Sequence, residues 1–223
     1  MTTIHQPKLR NAVLLVGSAK PEGASTSQAL GEALLTRLAA RGIAGNTFLV
    51  QRVMRTEARI QELLAEIDAA DVVVLAFPLY VDTLPYLVTA ALERIPCHRQ
   101  QAAPEHTPLF VAITNCGFPE VVHNALALRV CRQFAHQAHF AWGGGLALGG
   151  GGVLNGQSPN QAGGKARNIV RSLDLAADAL AQGQPMPDVA VELMARPIIP
   201  ASLYMLMGDI SWVQQAWQNG VLW

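Results

Sequence analysis

The chain has 223 residues, 51% of them hydrophobic and 14% charged, and sixteen basic residues balance sixteen acidic ones at a formal net charge of +0. This length fits one large domain or two small ones, and without a basic excess or a basic run the composition argues against a nucleic-acid partner. The three cysteines have no CxxC spacing, which argues against a disulfide framework, a zinc ribbon and an iron–sulfur ligand set.

The apolar runs near both ends of the chain are short. The first one, residues 12–16, is too short for the apolar region of a signal peptide. The longest one near the C-terminus, residues 197–212, contains two prolines and Asp209 and falls short of the roughly 20 apolar residues that a membrane helix needs. We therefore expect no membrane span and a cytoplasmic location.

Short apolar runs alternate with segments of helical period along the chain. The predicted strands are 12–16, 47–53, 71–77, 108–114 and 140–148, and the predicted helices are 26–41, 57–69, 85–95, 120–138 and 165–182. The third run is apolar without alternation, as in a strand that is covered on both faces. The pattern predicts an α/β fold, a doubly wound five-stranded parallel sheet with helices on both faces. Ligands bind such sheets at the carboxyl ends of the strands, beside the point where the strand order reverses.

The loop after the first strand, GSAKPEGASTS, has the composition of an anion site. Helix N-termini hold phosphates through free backbone N–H groups and the positive end of the helix dipole. The side chains that can add hydrogen bonds or charge here are Ser18, Lys20, Ser25, Thr26 and Ser27, and one of the last three is expected to be the N-cap. Neither GxxxxGK followed by Ser or Thr nor GxGxxG occurs in this loop, which argues against a nucleoside triphosphate or a dinucleotide. The alternative is a serine-rich turn with a good helix cap.

The loop after the third strand, FPLYVDTLP, is unusually apolar for a segment that faces water. Pro78 ends the strand, and Leu79, Tyr80 and Val81 follow it. A flat aromatic ligand lying against these side chains would explain their apolar character. The alternative is that Tyr80 only closes the top of the core. Asp82 is expected to brace the loop rather than to act as a base.

The loop after the fourth strand, TNCGFPE, can form a third side of the same site. Asn115 offers a side-chain amide, and Cys116 and Gly117 offer compact backbone donors next to Phe118. Gly117 permits a close approach of the ligand to the backbone. We interpret Cys116 as a small side chain that is tolerated there rather than as a redox thiol. The alternative for the whole loop is an ordinary turn before the next helix.

Two segments follow the last predicted strand. Residues 149–164 form a glycine-rich loop, and residues 185–223 form a C-terminal extension of the core domain 1–184. The extension is predicted to begin as an irregular crossing and to end in a short helix around 202–218. Three of the four tryptophans lie in its last dozen residues, and tryptophan is enriched at subunit contacts. We therefore expect the extension to pack on the same domain or on a partner subunit.

Together, the three loops and the tail resemble the flavodoxin-like NAD(P)H-dependent FMN reductases and quinone reductases, over essentially the whole chain. The resemblance implies noncovalent FMN, with its phosphate on Ser18, Ser25, Thr26 and Ser27 and its ring between 78–82 and 115–118. Lys20 stands where many members have arginine, and lysine gives a point charge rather than a bidentate contact. The resemblance also implies a homodimer or homotetramer, because members of this type bury the flavin edge at a subunit contact.

The activity that the resemblance implies is an oxidoreductase cycle. NADH or NADPH passes hydride to FMN, and a small acceptor such as a quinone, a free flavin or an azo compound then takes it. No general acid or base is obligatory, so no catalytic side chain is assigned and no metal site is expected. Backbone N–H groups around 80–82 and 116–118 are the candidates for tuning the flavin.

Three questions stay open at this point. The same fold can serve a flavodoxin-type electron carrier, although such carriers are usually strongly acidic and this chain is balanced. It can also serve a non-redox interaction module. The glycines at 149–152 are either a mobile cover over the flavin or a tight passage of backbone.

Overall fold

A computed structural model describes residues 9–102 and 106–221. Five strands form one parallel sheet in the order β2-β1-β3-β4-β5. Their bounds are Asn11–Val16 (β1), Ala44–Leu49 (β2), Val72–Pro78 (β3), Leu109–Asn115 (β4) and Ala141–Leu148 (β5). This is the flavodoxin-like order of a doubly wound sheet, whose direction of winding reverses between β1 and β3. The predicted fold class is therefore confirmed.

Eight α-helices and three short 3₁₀ turns connect and flank the described strands. The helices are Thr26–Ala39 (α1), Val50–Val53 (α2), Glu57–Ala69 (α3), Tyr86–Ala102 (α4), Ala125–Gln137 (α5), Arg167–Ala181 (α6), Asp188–Ala195 (α7) and Ala201–Gln218 (α8). The 3₁₀ turns are Val121–Asn124, Gly151–Val153 and Gly163–Ala166. Among the residues described, no helix combines the length and the apolar character needed to cross a membrane.

Successive residues of the central strands point to opposite faces of the sheet and build two cores. Leu14 of β1 belongs to the core that contains residues of α1, α6 and α7, whereas Leu15 belongs to the core on the other face, with residues of α3, α4 and α5. Both side chains are fully buried, and burying a leucine stabilises a fold by about 1.5–3 kcal/mol. Cores on both faces explain why β3 is apolar at every position, as the sequence indicated.

The second predicted strand, 47–53, is partly wrong. β2 lies at the edge of the sheet and ends at Leu49, and the chain turns at once into α2. Val50 and Val53 are both buried, and a spacing of three residues places both on one side of a helical turn. A short apolar run cannot distinguish a strand from a buried helical turn by its pattern alone.

Helix α4 extends past the predicted end at residue 95 and passes through Pro96 to Ala102. The extra turn carries the buried Arg99, whose Nε donates to the Ala138 carbonyl at 2.9 Å. Its guanidinium also lies 4.4 Å from the centre of the Phe140 ring. These contacts hold the C-terminal turn of α4 against the end of α5, despite the proline that removes a backbone donor.

The start of the C-terminal extension is not the irregular crossing that was predicted. Helix α7 packs on α6 and β5, and its Ala190 carbonyl accepts a hydrogen bond from the Ser172 hydroxyl at 2.6 Å. The Met186 amide donates to the Gly143 carbonyl at 2.8 Å, and the Met194 side chain is buried. The final helix was predicted closely, as α8 begins at Ala201. Trp223, one of the three tryptophans of the extension, lies outside the described residues, as do residues 1–8.

Candidate functional site

Three loops meet at the carboxyl edge of the sheet: the first loop (17–27), the second loop (77–85) and the third loop (114–120). Backbone and side-chain hydrogen bonds join them directly. The Leu79 amide of the second loop donates to the Asn115 carbonyl of the third at 2.8 Å. The Ser27 hydroxyl of the first loop donates to Asn115 Oδ1 at 2.7 Å. The structure thus brings together the segments that the sequence selected as one site.

The first loop ends at a helix N-terminus with unsatisfied donors. Ser25 is the N-cap of α1, and its Oγ accepts from the Gln28 amide at 3.0 Å. The amides of Thr26 and Ser27 lie in the first turn, where no intrahelical acceptor exists, and they have no partner among the described residues. Ser18 Oγ accepts from the Lys20 amide at 3.2 Å. The hydroxyl hydrogens of Ser18 and Ser25 are therefore left to donate, and such a group of donors suits an anion.

The hydroxyls of Thr26 and Ser27 have a different position from those of Ser18 and Ser25. Thr26 Oγ1 donates to the Gly151 carbonyl at 2.9 Å, and the Ser27 hydroxyl is bound to Asn115. Both side chains are buried, and their hydroxyls are used to hold neighbouring loops in place. Only the backbone amides of these two residues are left to donate to a ligand. Lys20 lies exposed beyond them on the same loop. A role of these residues in binding phosphate stays a prediction.

The second loop contains a two-residue turn with an unusual backbone. Tyr80 and Thr83 each donate an amide to the other's carbonyl, at 3.0 and 3.1 Å. The residues between them have positive φ, 48° at Val81 and 58° at Asp82, as a type I′ turn requires. Valine is a genuine outlier in this region, and such strain costs about 1–3 kcal/mol. Val81 is also 97% exposed, so packing against the described residues does not account for its presence.

An exposed apolar surface lies beside the helix N-terminus. It consists of Tyr80 and Val81 of the second loop and Phe118 of the third, with Pro78 and Leu79 half-buried below them. Apolar groups next to anion donors at the end of a parallel sheet suit a ligand with one charged end and one flat apolar end. That the ring of a ligand lies between residues 78–82 and 115–118 stays a prediction.

His123 also belongs to this site, although the sequence did not single it out. Its Nδ1 lies 3.7 Å from Asp82 Oδ1, and its ring packs against Phe118 with centroids 4.6 Å apart. The pair lies between the second loop and the 3₁₀ turn that follows the third loop. That Asp82 braces its loop stays a prediction.

Cys116 points away from the exposed surface. Its side chain is only 3% exposed, and its Sγ accepts from Asn124 Nδ2 at 3.2 Å. Its amide donates to the Leu148 carbonyl at 3.1 Å, and the Tyr80 amide is used within its own turn. The backbone donors without a partner in the described parts of the second and third loops are therefore those of Val81, Asp82, Leu84, Gly117, Phe118 and Glu120.

The glycine-rich segment after β5 is a tight passage of backbone. The Gly150 amide donates to the Phe118 carbonyl at 2.7 Å, and the Gly151 amide donates to the Cys116 carbonyl at 2.9 Å. A Cβ at Gly149 would lie 2.3 Å from the Pro119 carbonyl oxygen, so only glycine fits there. Of the two alternatives that the sequence left open, the structure favours the passage over the mobile cover.

Tyr204 of α8 reaches the edge of the site. Its Oη donates to the Gly117 carbonyl at 2.6 Å, and a Cβ at Gly150 would lie 3.3 Å from its ring. Burial raises the pKa of the Tyr204 phenol above its ordinary value, and the nearby Cys116 thiol adds to the rise. The sequence gave no signal for this contact.

Comparisons with known proteins give matches at the level of structure alone. No protein-family model matches the chain, and no curated protein does. An apo NADH:FMN oxidoreductase matches with 18% identity and a TM-score of 0.58, over 86% of this chain and 96% of its own. An FMN-dependent NADH-azoreductase from Bacillus anthracis, solved with FMN, has 10% identity and a TM-score of 0.57, over 78% and 100%. A Streptococcus pneumoniae flavodoxin has 10% identity and a TM-score of 0.53, over 78% and 99%.

These likenesses show the fold. At such identities, a shared architecture carries no activity from one protein to another, because this fold serves many functions. The chain therefore has a flavodoxin-like fold, and its function has to be argued from the site.

Proposed function

We propose that this chain is an FMN-dependent NAD(P)H oxidoreductase of the flavodoxin-like FMN reductase and quinone reductase family. Hydride would pass from a nicotinamide to bound FMN and then to a small acceptor such as a quinone, a free flavin or an azo compound. The observation that supports this most is the juxtaposition of an anion site at the N-terminus of α1 with an exposed apolar surface at the ends of β3 and β4.

The residues of the first loop fit a phosphate monoester. The hydroxyls of Ser18 and Ser25 and the amides of Thr26 and Ser27 can donate to its oxygens, while the helix dipole supplies positive potential. Lys20 can add a charge from the exposed side of the loop. Neutral donors suffice here because the helix terminus favours an anion, which explains why the loop lacks the lysine of nucleotide-triphosphate sites.

The second and third loops fit the flat end of the ligand. Tyr80, Val81 and Phe118 would cover one face of the ring, and the unpartnered amides of Gly117 and Phe118 would donate to its polar edge. Bound FMN would supply the redox chemistry itself. The chain would bind and orient the ring, and its apolar side chains would exclude water from the ring face. No side chain is proposed as a general acid or base.

The structural neighbours support this proposal without deciding it. An NADH:FMN oxidoreductase and an FMN-dependent NADH-azoreductase share the fold over most of the chain. A flavodoxin shares it as well, and this keeps an electron carrier as the second candidate. A carrier that meets a protein partner usually has a strongly acidic surface, whereas this chain has a formal net charge of +0.

The visible absorption spectrum of the purified protein tests the proposal. After incubation with FMN and removal of excess ligand, we expect the spectrum of a bound flavin, and anaerobic NADPH or NADH should bleach it rapidly. A flavin spectrum that neither nicotinamide bleaches would favour the electron carrier. A protein that stays colourless after incubation with FMN would contradict both and favour the non-redox module.

A further inference from the structure

Asparagine followed by glycine occurs twice in this chain, at Asn155–Gly156 and at Asn219–Gly220. Asparagine is a thermolabile residue, and it loses its side-chain ammonia most easily before glycine, which has no side chain to shield the following backbone nitrogen. Asn155 lies in the glycine-rich segment between β5 and α6, and Asn219 is the C-cap of α8. Both asparagines are exposed to solvent. Because the two dipeptides are identical, the folded structure decides which of them reacts.

The reaction needs two groups of the chain and water. The backbone nitrogen that follows the asparagine loses its proton to water and attacks the side-chain Cγ, so that a C–N bond forms and Nδ2 leaves as ammonia. Water then opens the resulting imide ring at either of its two carbonyls. One opening gives aspartate, and the other gives isoaspartate, in which the main chain runs through the former side chain. No oxidant or reductant is consumed.

At Asn155 both reacting groups are available. Its exposed side-chain amide makes no hydrogen bond with the described residues. The Gly156 amide has one acceptor, Thr26 Oγ1, at 3.4 Å, a distance at which a hydrogen bond is weak. The φ angles are 45° at Asn155 and 78° at Gly156, in the left-handed region where glycine and asparagine are the most favourable residues. The conformation of this turn therefore favours the residue pair that reacts.

At Asn219 the same two groups are used in hydrogen bonds. The Asn219 Nδ2 donates to the Gln215 carbonyl at 2.8 Å, and the Gly220 amide donates to the Trp217 carbonyl at 3.1 Å. The attack on Cγ requires both hydrogen bonds to break, and each of them stabilises the folded state. The fold therefore protects Asn219 and leaves Asn155 reactive.

Asn155 stands beside the first loop of the candidate site. Thr26, whose Oγ1 accepts from the Gly156 amide, is the first residue of α1. Gly156 also packs against the first loop, because a Cβ at this position would lie 2.9 Å from the carbonyl carbon of Ala24. On the other side of Asn155, Leu154 is buried in the core. The chain is thus fixed before and after Asn155, and a change in its backbone displaces Gly156 from the first loop.

We propose that Asn155 is a site of spontaneous deamidation in the folded chain, and that the acid formed there weakens the binding of an anion at the N-terminus of α1. Aspartate adds a negative charge next to the donors that suit an anion, and like charges repel. Isoaspartate also adds a backbone atom before Gly156, whose close packing on Ala24 has no space for it. The effect on binding rests on the proposed function, in which the anion is the phosphate of FMN.

Peptide mapping by mass spectrometry tests the site in the full-length protein. The protein is incubated at physiological temperature, either folded or unfolded in guanidinium chloride, and labelling by an isoaspartyl methyltransferase identifies isoaspartate. In the folded protein, we expect acid to form several-fold faster at residue 155 than at residue 219. In the unfolded protein, the two rates should become similar, because only the fold distinguishes the two dipeptides.

Three results of this experiment overturn the proposal. The first is a folded protein in which residue 155 keeps its amide. The second is a folded protein in which residue 219 reacts as fast as residue 155. The third is a difference between the two rates that persists in guanidinium chloride, since the neighbouring sequence and not the fold would then select the site.

Fluorescence titration with FMN tests the effect on binding. We expect the incubated protein to bind FMN several-fold more weakly than fresh protein. Asn155→Gly, which permits the same positive φ and has no side-chain amide, should keep its affinity through the incubation. Asn155→Asp should bind FMN more weakly from the start, whereas Asn219→Asp, which adds the same charge at the end of α8, should not. Unchanged affinity in both the incubated protein and Asn155→Asp overturns the effect on binding.

The two proposals fail separately, because the rates of deamidation are measured without flavin. A protein that forms acid at residue 155 and binds no FMN contradicts the proposed function, together with the effect on binding that rests on it. A protein that binds FMN and keeps the amide of Asn155 contradicts only this inference.

Discussion

Tyr204 is the residue that connects the C-terminal extension to the candidate site. Replacing it with phenylalanine removes the hydrogen bond to the Gly117 carbonyl, and we expect the free energy of unfolding to fall by about 0.5–1 kcal/mol. FMN affinity should fall with it, because the third loop loses a constraint. Urea unfolding and flavin fluorescence titration measure the two effects. Tyr86→Phe is the matched control, since that side chain is 81% exposed and makes no side-chain hydrogen bond with the described residues.

The raised pKa of Tyr204 adds a dependence on pH. The folded state holds the phenol neutral to a higher pH than the unfolded chain, where its pKa is about 10. The contribution of the Tyr204 phenol to the free energy of unfolding is therefore complete below about pH 10. It is lost as the pH rises through the pKa that the phenol has in the folded state. The stability difference between the native protein and Tyr204→Phe should shrink over that alkaline range. A difference that stays constant there would contradict this account.

Some residues of the site could be predicted from the sequence, and others could not. Ser25 was among the expected N-caps because a hydroxyl before an apolar helical pattern satisfies a free amide, a purely local effect. His123 was missed because it is brought to the site by its position beside Asp82, a residue that is distant in the sequence. The turn at Val81 and Asp82 was missed because type I′ turns normally contain asparagine or glycine. The neighbouring sequence gives no signal that a valine adopts positive φ here.

At the scale of elements, the N-terminus of α1 serves both stability and the proposed ligand. Ser25→Ala removes the cap that accepts from the Gln28 amide and should lower the free energy of unfolding by about 1 kcal/mol. It also removes one of the hydroxyls available to a phosphate. We therefore expect FMN to bind several-fold more weakly, as measured by quenching of flavin fluorescence.

Thr56→Ala is the matched control for this helix. Thr56 caps α3 by accepting from the Arg59 amide at 3.4 Å, and it makes no hydrogen bond with the described residues of the three loops. Both substitutions should destabilise the fold, but only Ser25→Ala should weaken FMN binding. Equal losses of FMN affinity in the two variants would show that the effect comes from lower overall stability and not from the site.

Helices and strands could be predicted where their hydrophobic pattern was long. They could not be predicted where contacts with residues distant in the sequence determined the secondary structure. The strands β1, β3, β4 and β5 and the helices α1 and α3 follow from periodicity and flanking residues. Helix α2 has one turn, and its two valines fit a strand equally well until β2 is seen to end at the sheet edge. Helix α7 follows a segment with two prolines, and its burial depends on contacts with α6 and β5 that no local signal reveals.

At the scale of the whole molecule, a ligand that binds only the folded state should stabilise all of it. At a concentration 100 times its dissociation constant, FMN would add about 2.7 kcal/mol to the free energy of unfolding. For a domain of this size that corresponds to a rise of about 5–10 °C in Tm. Scanning calorimetry or thermal unfolding followed by circular dichroism measures it.

Riboflavin is the matched ligand for this test, because it has the same ring and lacks the phosphate. If the N-terminus of α1 holds the phosphate, riboflavin should give a much smaller rise in Tm than FMN at equal concentration. Equal rises in Tm with FMN and riboflavin would show that the first loop does not bind the phosphate. The absence of any rise with FMN would contradict the proposal that the chain binds FMN.

Gly151 connects the third loop to the start of α1 through its own backbone amide and carbonyl groups. Its amide is bound to the Cys116 carbonyl and its own carbonyl to the Thr26 hydroxyl. Gly151 is therefore hydrogen-bonded to the third loop and to the start of α1 at once, and a displacement of this residue breaks a contact with each. We expect a disturbance at Gly151 to weaken the binding of both the phosphate end and the ring end of a ligand.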